Sequence, residues 1–312
     1  MDKMEQRNAR KNKLVYYITI PLIILLLLSN ALFIKLNYDL KSIVKDNKNI
    51  ESNTKNEYLE SNETIKLIEK ELSIIKNLDE EINNAKTEYY KTLKIFEDKV
   101  INKELDYKIA YLTFDDGPYN LTHKYLEVLE KYDVRATFFT IGLDKTKCYD
   151  DRSKSCQELY AKEAHNGHTM ANHTYSHLIF KGLYSSTDSF IKQVKKQEDL
   201  IKEKTGITTN IVRFPGGISS SGKLKNSITD ELKKLGYGWI DWTASNGDGG
   251  WVGDKKTALA NLKSTINEDI EVILFHDYSN ATLSALPDAI EWLRSNNYVL
   301  LPLFYESKMV NK

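Results

Sequence analysis

Lys108-Ile109-Ala110-Tyr111-Leu112-Thr113-Phe114-Asp115-Asp116-Gly117-Pro118 is an apolar run that ends on two adjacent carboxylates and a turn signal. Ile109–Phe114 is predicted as a buried strand, because the run is short, carries aromatic and β-favouring residues and is stopped by Gly-Pro. A helical pattern follows at 122–132, then a second strand-like run at 136–141. Helices are predicted at 157–166, 189–204, 223–235, 256–267 and 283–295. Strands are predicted at 211–214, 238–242, 271–275 and 298–303. Strands alternating with helices over about 200 residues predict an α/β domain with parallel strands. Asp115, Asp116, Arg213 and His276 then all fall just after strands, the edge on which parallel barrels build their sites.

The rest of the chain is made differently. All 14 glycines, all four tryptophans and all six histidines lie at Gly117 or beyond. Residues 35–106 contain neither Gly nor Pro. Ile65, Ile68, Leu72 and Ile75, then Leu78, Ile82, Ala85 and Tyr89, then Leu93, Phe96 and Val100 form an apolar stripe at helical spacing. This segment reads as a helical stalk, with a solvated spacer as the default and a homodimeric coiled coil as the alternative. If helical throughout, it would reach roughly 100 Å.

Upstream, Leu14–Ile34 carries no charge and is long enough to cross a bilayer. Lys3, Arg7, Arg10, Lys11 and Lys13 outweigh Asp2 and Glu5 before it, which keeps residues 1–13 in the cytoplasm and sends the remainder outside. Ser29-Asn30-Ala31 would serve a cleaved signal peptide. An uncleaved anchor is preferred, because the run exceeds a usual signal core and a charged helical pattern follows directly. The expected organisation is therefore a tail (1–13), an anchor (14–34), a stalk (35–106), a catalytic domain (107–306) and a short end (307–312). Net charge is zero, with 44 basic and 44 acidic residues, so no basic field favours nucleic acid. Cys148 and Cys156 flank a polar stretch. Outside a membrane they are candidates for a disulfide, with two free thiols as the alternative.

Three pieces carry candidate chemistry. Asp115-Asp116 alone is a turn as readily as a site, but adjacent carboxylates repel unless a cation lies nearby. His173 and His177, in Asn172-His173-Thr174-Tyr175-Ser176-His177, are four apart. On a helix, or one tight turn of it, they would face the same way and share a metal with Asp116. His276 follows Val272-Ile273-Leu274-Phe275. Each alone has a bland reading: a surface or core histidine, or a surface cation for Arg213. Asp241 and Asp248 sit in a Gly- and Trp-rich loop that also holds Trp242 and Trp251.

Taken in order, Thr113-Phe114-Asp115-Asp116-Gly117-Pro118, Asn172–His177, Arg213-Phe214-Pro215 and Ile273-Leu274-Phe275-His276-Asp277 resemble the polysaccharide deacetylases, the NodB-homology proteins of carbohydrate esterase family 4. The resemblance covers about residues 107–305 and leaves out anchor and stalk. It implies a distorted (β/α) barrel and one divalent metal, commonly zinc, with cobalt, manganese or nickel as alternatives. It implies that Asp116, His173 and His177 hold the metal, that Asp115 is the general base and that His276 is the general acid. Arg213 would orient Asp115, and Asp248 rather than Asp241 would orient His276. The Gly216 N–H would face the oxyanion, while Leu274, Trp242 and Pro215 would line the substrate pocket. Two positions depart from the family pattern: Gly216 stands where a tyrosine is usual, and Gly249 where a tryptophan is usual. The implied reaction is removal of N-acetyl groups from a wall glycan, peptidoglycan N-acetylglucosamine first, with hindrance of lysozyme as a consequence. N-acetylmuramic acid, poly-N-acetylglucosamine, chitin oligomers and acetylxylan are the alternative substrates. An inactive glycan-binding or scaffold protein is the non-enzymatic alternative.

Overall fold

A computed structural model describes residues 62–142, 147–148, 154–250 and 252–312. The predicted anchor, the start of the stalk and Trp251 lie outside the described residues. The chain divides into two compact units, Met1–Leu93 and Lys94–Lys312. What is described of the first is helix α1 (Asn62–Ile101), whose last turns cross into the second. Leu72, on the apolar stripe, is 59% exposed. Among the described residues no helix is long and apolar enough to cross a membrane.

In the second unit the elements alternate. They run β1 (Lys108–Asp115), α2 (Thr122–Lys131), β2 (Thr137–Thr140), β3 (Lys147–Cys148), β4 (Lys154–Ser155), α3 (Leu159–His165), β5 (Thr169–Asn172) and α4 (Thr187–Thr205). Then come β6 (Ile211–Val212), α5 (Lys225–Lys234), β7 (Gly238–Trp239), β8 (Ala244–Ser245), α6 (Lys255–Thr265), β9 (Ile270–His276), α7 (Asn280–Ser295) and β10 (Tyr298–Leu301). Eight strands form one sheet in the order β7-β6-β5-β2-β1-β9-β8, and β10 joins the first half of β1. Every pairing in it is parallel. The path ends at β7 and β8, so the expected distorted (β/α) barrel is realised as a curled, open one.

β1 is buried along almost its whole length, as a central parallel strand must be when both faces are covered. Alternate residues serve the two faces. Ala110, Leu112 and Phe114 join Phe138, Ile273 and Phe275 in a core completed by Tyr125, Leu126 and Leu129 of α2 and Leu286, Ile290 and Leu293 of α7. Tyr111, Thr113 and Asp115 face the other way. Helix starts are fixed locally: Ser186, Asp254 and Ser279 accept from Ser189, Thr257 and Thr282 N–H groups. Gly206, at φ 75°, closes α4 in the left-handed conformation. The cap on Ser279 moves the start of α7 to Asn280, ahead of the expected 283.

The compact unit starts earlier than the expected boundary at 106/107. Glu97, on the last turns of α1, is fully buried and accepts from Tyr111 Oη at 2.9 Å, from Ser307 Oγ and from Lys308 N at 3.0 Å. Residues 307–312, expected as a short end outside the catalytic domain, are tied in by the same contacts and by the Trp239–Asn311 bridge. Cys156 is buried and disulfide-bonded, and Cys148 is the chain's one other cysteine.

Candidate active site

Asp115 ends β1 in register with His276, which ends β9. Registered residues of parallel strands point to one face, so the carboxylate and the imidazole are brought side by side by the ladder itself. Thr113 and Leu274 form the pair one step below. Arg213, one residue past β6, is fully buried with its Cζ 4.0 Å over the Phe139 ring. Its Nη1 donates to Asp115 Oδ1 at 2.8 Å and to Thr113 Oγ1 at 2.7 Å. Nε donates to Ile240 O at 3.2 Å and Nη2 to Asp241 O at 2.9 Å. Thr113 Oγ1 itself donates to Ile273 O, so its lone pairs are turned toward the guanidinium. A buried cation is tolerable only when paired and hydrogen-bonded in this way. Burial raises the Asp115 pKa above the usual carboxylate range, while Arg213 and His276 oppose the rise. The outcome is a carboxylate with enhanced affinity for a proton, held in one orientation.

At Asp116 the backbone turns left-handed, with φ 73°, which swings this carboxylate away from its neighbour. Among the described residues its Oδ1 has no hydrogen-bond partner, and it lies 3.2 Å from His177 Nε2 and 3.6 Å from His173 Nε2. His173 Nδ1 is 2.9 Å from Arg213 O. A carbonyl only accepts, so Nδ1 carries the proton and Nε2 presents its lone pair. Burial, aided by His177, holds the His173 pKa down at about 3, which keeps the ring neutral. One atom from each of Asp116, His173 and His177 lies within 4.8 Å of the others. An orphaned carboxylate oxygen facing two imidazole nitrogens is a donor set that fits a divalent cation.

The histidines do not meet on a helix, contrary to the i, i+4 reading. They follow β5 on irregular backbone, with Thr174 at φ 65° and His177 at φ 50°. The segment is pinned instead. Thr174 N donates to Asn172 Oδ1, Asn172 Nδ2 to Val194 O, Ser176 N to Gln193 Oε1 and Tyr175 N to Gln193 O. The result sets the two rings 4.9 Å apart between centroids, with their planes tilted by 47°.

His276 Nδ1 lies 2.8 Å from Asp248 Oδ1, and its backbone N donates to Asp248 Oδ2 at 3.0 Å. Thr282 Oγ1 also donates to Oδ2, and Asn246 accepts from Asp248 N and donates to Thr282 Oγ1. Burial works against the charged imidazole. The Asp248 hydrogen bond and the charges of Asp248, Asp115 and Asp116 outweigh it and raise the pKa to about 9. Asp241 instead accepts from Ile218 N through both oxygens, at 3.1 Å each. A Cβ at Gly249 would lie 2.8 Å from His276 Cε1, so only glycine lets this loop pass against the imidazole.

The remaining expected residues sit around the rim. Pro215 is buried and its carbonyl accepts from Tyr184 Oη at 2.8 Å. Gly216 is exposed at φ 73°, and no group among the described residues accepts its N–H. Leu274 is 7% exposed and Trp242 37%. Several supporting residues were not foreseen: Thr113, Asn172, Gln193, Asn246, Thr282 and Asp277. Asp277 is fully buried, accepts from Thr122 Oγ1 and carries a pKa raised by burial to about 7. It packs so tightly on the turn after Asp116 that a Cβ at Gly117 would fall 2.2 Å from its Oδ2. The signal for Thr113 was its place two residues before Asp115, hence on the same face.

The polysaccharide deacetylase family model matches residues 102–239. YheN of Bacillus subtilis, assigned provisionally as a polysaccharide deacetylase, is 31% identical over 61% of this chain, which spans 65% of that protein's length. A peptidoglycan-N-acetylglucosamine deacetylase of Bacillus cereus is 29% identical over 61% of this chain and 67% of its own. Among solved structures, the catalytic domain of a peptidoglycan N-acetylglucosamine deacetylase from Eubacterium rectale superposes with a TM-score of 0.59. It is 32% identical and covers 66% of this chain and 93% of that domain. This chain belongs to the polysaccharide deacetylase family.

Proposed function

We propose that this protein hydrolyses N-acetyl groups of peptidoglycan N-acetylglucosamine, giving acetate and a free amine. The observation that carries the reading is the register of Asp115 against His276, with opposite electrostatic settings imposed on each. Asp116, His173 and His177 would hold the divalent cation, and two imidazoles with one carboxylate favour zinc. When bound, the cation polarises the acetamide carbonyl and brings the pKa of water to about 7.

The chain's own groups supply the proton transfers. Asp115 accepts the proton of the attacking water, held to that task by Arg213 and Thr113. His276, protonated at neutral pH because Asp248 faces its Nδ1, donates from Nε2 to the departing nitrogen. A base and a separate acid are both needed, since an amide nitrogen leaves only once protonated. The free Gly216 N–H is available to the tetrahedral oxyanion, and Leu274 offers an apolar wall to the acetyl methyl.

The uncharged run 14–34 anchors the chain with residues 1–13 inside and the catalytic unit outside, where wall glycan is found. Protease treatment of intact cells tests this: removal of the catalytic unit supports it, and complete protection contradicts it. The activity is tested by assaying acetate from peptidoglycan, N-acetylglucosamine oligomers and N-acetylmuramic acid substrates. Release from the glucosamine residues alone supports the assignment, and release confined to muramic acid moves the substrate to the neighbouring sugar.

A further inference from the structure

Thr140-Ile141-Gly142, at the end of β2, touches both ligand-bearing pieces of the chain through backbone alone. Thr140 O accepts from His173 N at 3.0 Å. Ile141 N donates to Gly117 O at 2.9 Å, on the residue after Asp116. Gly142 N donates to Tyr175 O at 2.8 Å, on the residue between Thr174 and Ser176 of the histidine loop. Peptide units are planar and stiff, so a shift of this tripeptide moves the Asp116 turn and the two imidazoles relative to each other. Gly142 also meets the loop face on. A Cβ there would lie 2.1 Å from Cδ2 and 2.3 Å from Cε2 of the Tyr175 ring. It is not one of the left-handed glycines, so the position selects glycine for close approach rather than for conformation.

The carbonyls of this bridge are held by two side chains from one short stretch. Tyr160 Oη, near the start of α3, donates to Ile141 O at 2.7 Å. It accepts from Gln197 Nε2 at 2.8 Å, so its one hydrogen is committed to Ile141. Gln157 Nε2 donates to Gly142 O at 2.7 Å. Gln157 follows Cys156 in the turn Cys156–Glu158 that leads into α3, and its own N–H donates to Ser155 Oγ at 3.3 Å. Cys156 packs on Leu159, and its cross-link to Cys148 closes the β3–β4 hairpin, in which Cys148 pairs with Lys154. A cross-link takes conformational freedom from the chain it closes, here the backbone that presents the Gln157 amide.

We propose that Gln157 and Tyr160 are positioning residues for the metal site. They hold Asp116 at its distance from His173 and His177 through the Thr140–Gly142 bridge, and the Cys148–Cys156 cross-link keeps Gln157 in reach of that bridge. The proposal rests on the reading of Asp116, His173 and His177 as metal ligands. A divalent cation tolerates only about 0.2 Å of error in its ligand distances, so a loosened bridge lowers affinity before it lowers the stability of the fold. The cysteine pair takes no part in the proton transfers, and this gives it a part in the site.

The test titrates the full chain in detergent with zinc, in competition with a chromophoric chelator, and with cobalt, read by its visible absorption. Gln157→Met keeps the volume and loses the donor. The expected result is a zinc Kd raised about fivefold, an altered cobalt spectrum and an unchanged melting temperature of the metal-free protein. Tyr160→Phe should raise the Kd by a similar factor, and Gly142→Ala by more than about tenfold. Replacing both cysteines by serine should raise the Kd about fivefold in the wild-type background and leave it unchanged in Gln157→Met, because the cross-link acts through that amide. Where the serine pair does not fold, wild type reduced with a phosphine and alkylated takes its place. An unchanged Kd in both Gln157→Met and Tyr160→Phe, whatever their melting temperatures, makes these residues merely structural and overturns the proposal. A cross-link effect of equal size in both backgrounds overturns the route through Gln157. Wild type that binds no zinc overturns the metal reading and this proposal with it. Zinc bound as predicted without acetate release overturns hydrolysis and leaves the positioning role standing.

Discussion

At the ends of β1 and β9, Asp115 and His276 are placed by a seven-pair parallel ladder. Across from them, His173 and His177 are placed by backbone with two left-handed non-glycine residues, tied down by Asn172 and Gln193. The first region gets its geometry from regular hydrogen bonding. The second gets it from individual side-chain bonds to an irregular segment. The Asp115–His276 pair is thus built on regular sheet while the two imidazoles beside Asp116 are placed by a pinned loop, and the two should fail differently.

The largest effect is expected in the pinned loop. His173→Ala or His177→Ala should abolish both bound metal, measured by elemental analysis, and acetate release. Retained metal with lost activity would place the cation elsewhere. On the ladder side, Arg213→Met strands the buried Asp115 carboxylate. Breaking a buried pair costs about 3–5 kcal/mol, so unfolding should shift strongly while metal stoichiometry in the folded fraction stays the same. Loss of metal in the folded protein would show that the two regions are one.

Asp248→Asn separates them more finely. The folded pKa of His276, about 9, lies above the ordinary value of 6.5. The protonated form is therefore stabilised, fully below about 6.5, and the benefit is lost as pH rises through 9. With the Asp248 charge removed, the alkaline limb of the activity profile should move down and kcat at neutral pH should fall about 100-fold. An unmoved limb would take His276 out of the acid role. His168 gives the opposite arm. Burial holds its pKa at about 3, so the unfolded chain takes up a proton below about 6.5 that the folded chain refuses until about 3. Stability should decline with falling pH in that window, and His168→Phe should flatten the decline.

The smallest effect is expected from Thr174→Gly. Relieving a left-handed threonine gains about 1–2 kcal/mol, and the entropy of an added glycine takes back about 0.5–1. Melting temperature should barely change while metal affinity falls, because the loop loses its rigidity. A large loss of stability would mean that the fold, not the loop, depends on this residue.

What was legible in the sequence follows the same division. β1 and β9 announced themselves as apolar runs, whereas the place of Thr113 on the face of Asp115 emerges only from the strand register and the Arg213 contact. The motif order singled out the residues that the structure gathers, Asp116 with His173 and His177 and Asp115 beside His276, and chose Asp248 over Asp241 as the carboxylate against His276. β5 and β8 were missed because Thr-Met-Ala-Asn and Ala-Ser are short and carry little strand signal, their pairing being set by neighbours. The helical spacing of His173 and His177 was misread because nothing local in that stretch marks left-handed backbone at a threonine and a histidine. The domain boundary was misplaced because Glu97 looks like any stalk charge until Tyr111, Ser307 and Lys308 converge on it.

The most direct measurement is acetate release from peptidoglycan by the full chain, with added zinc, with chelator, and with Asp115→Asn. The account predicts release that chelator abolishes, zinc restores and the substitution eliminates without loss of bound metal. Metal bound as expected, with no acetate released from any N-acetylated glycan, would contradict it.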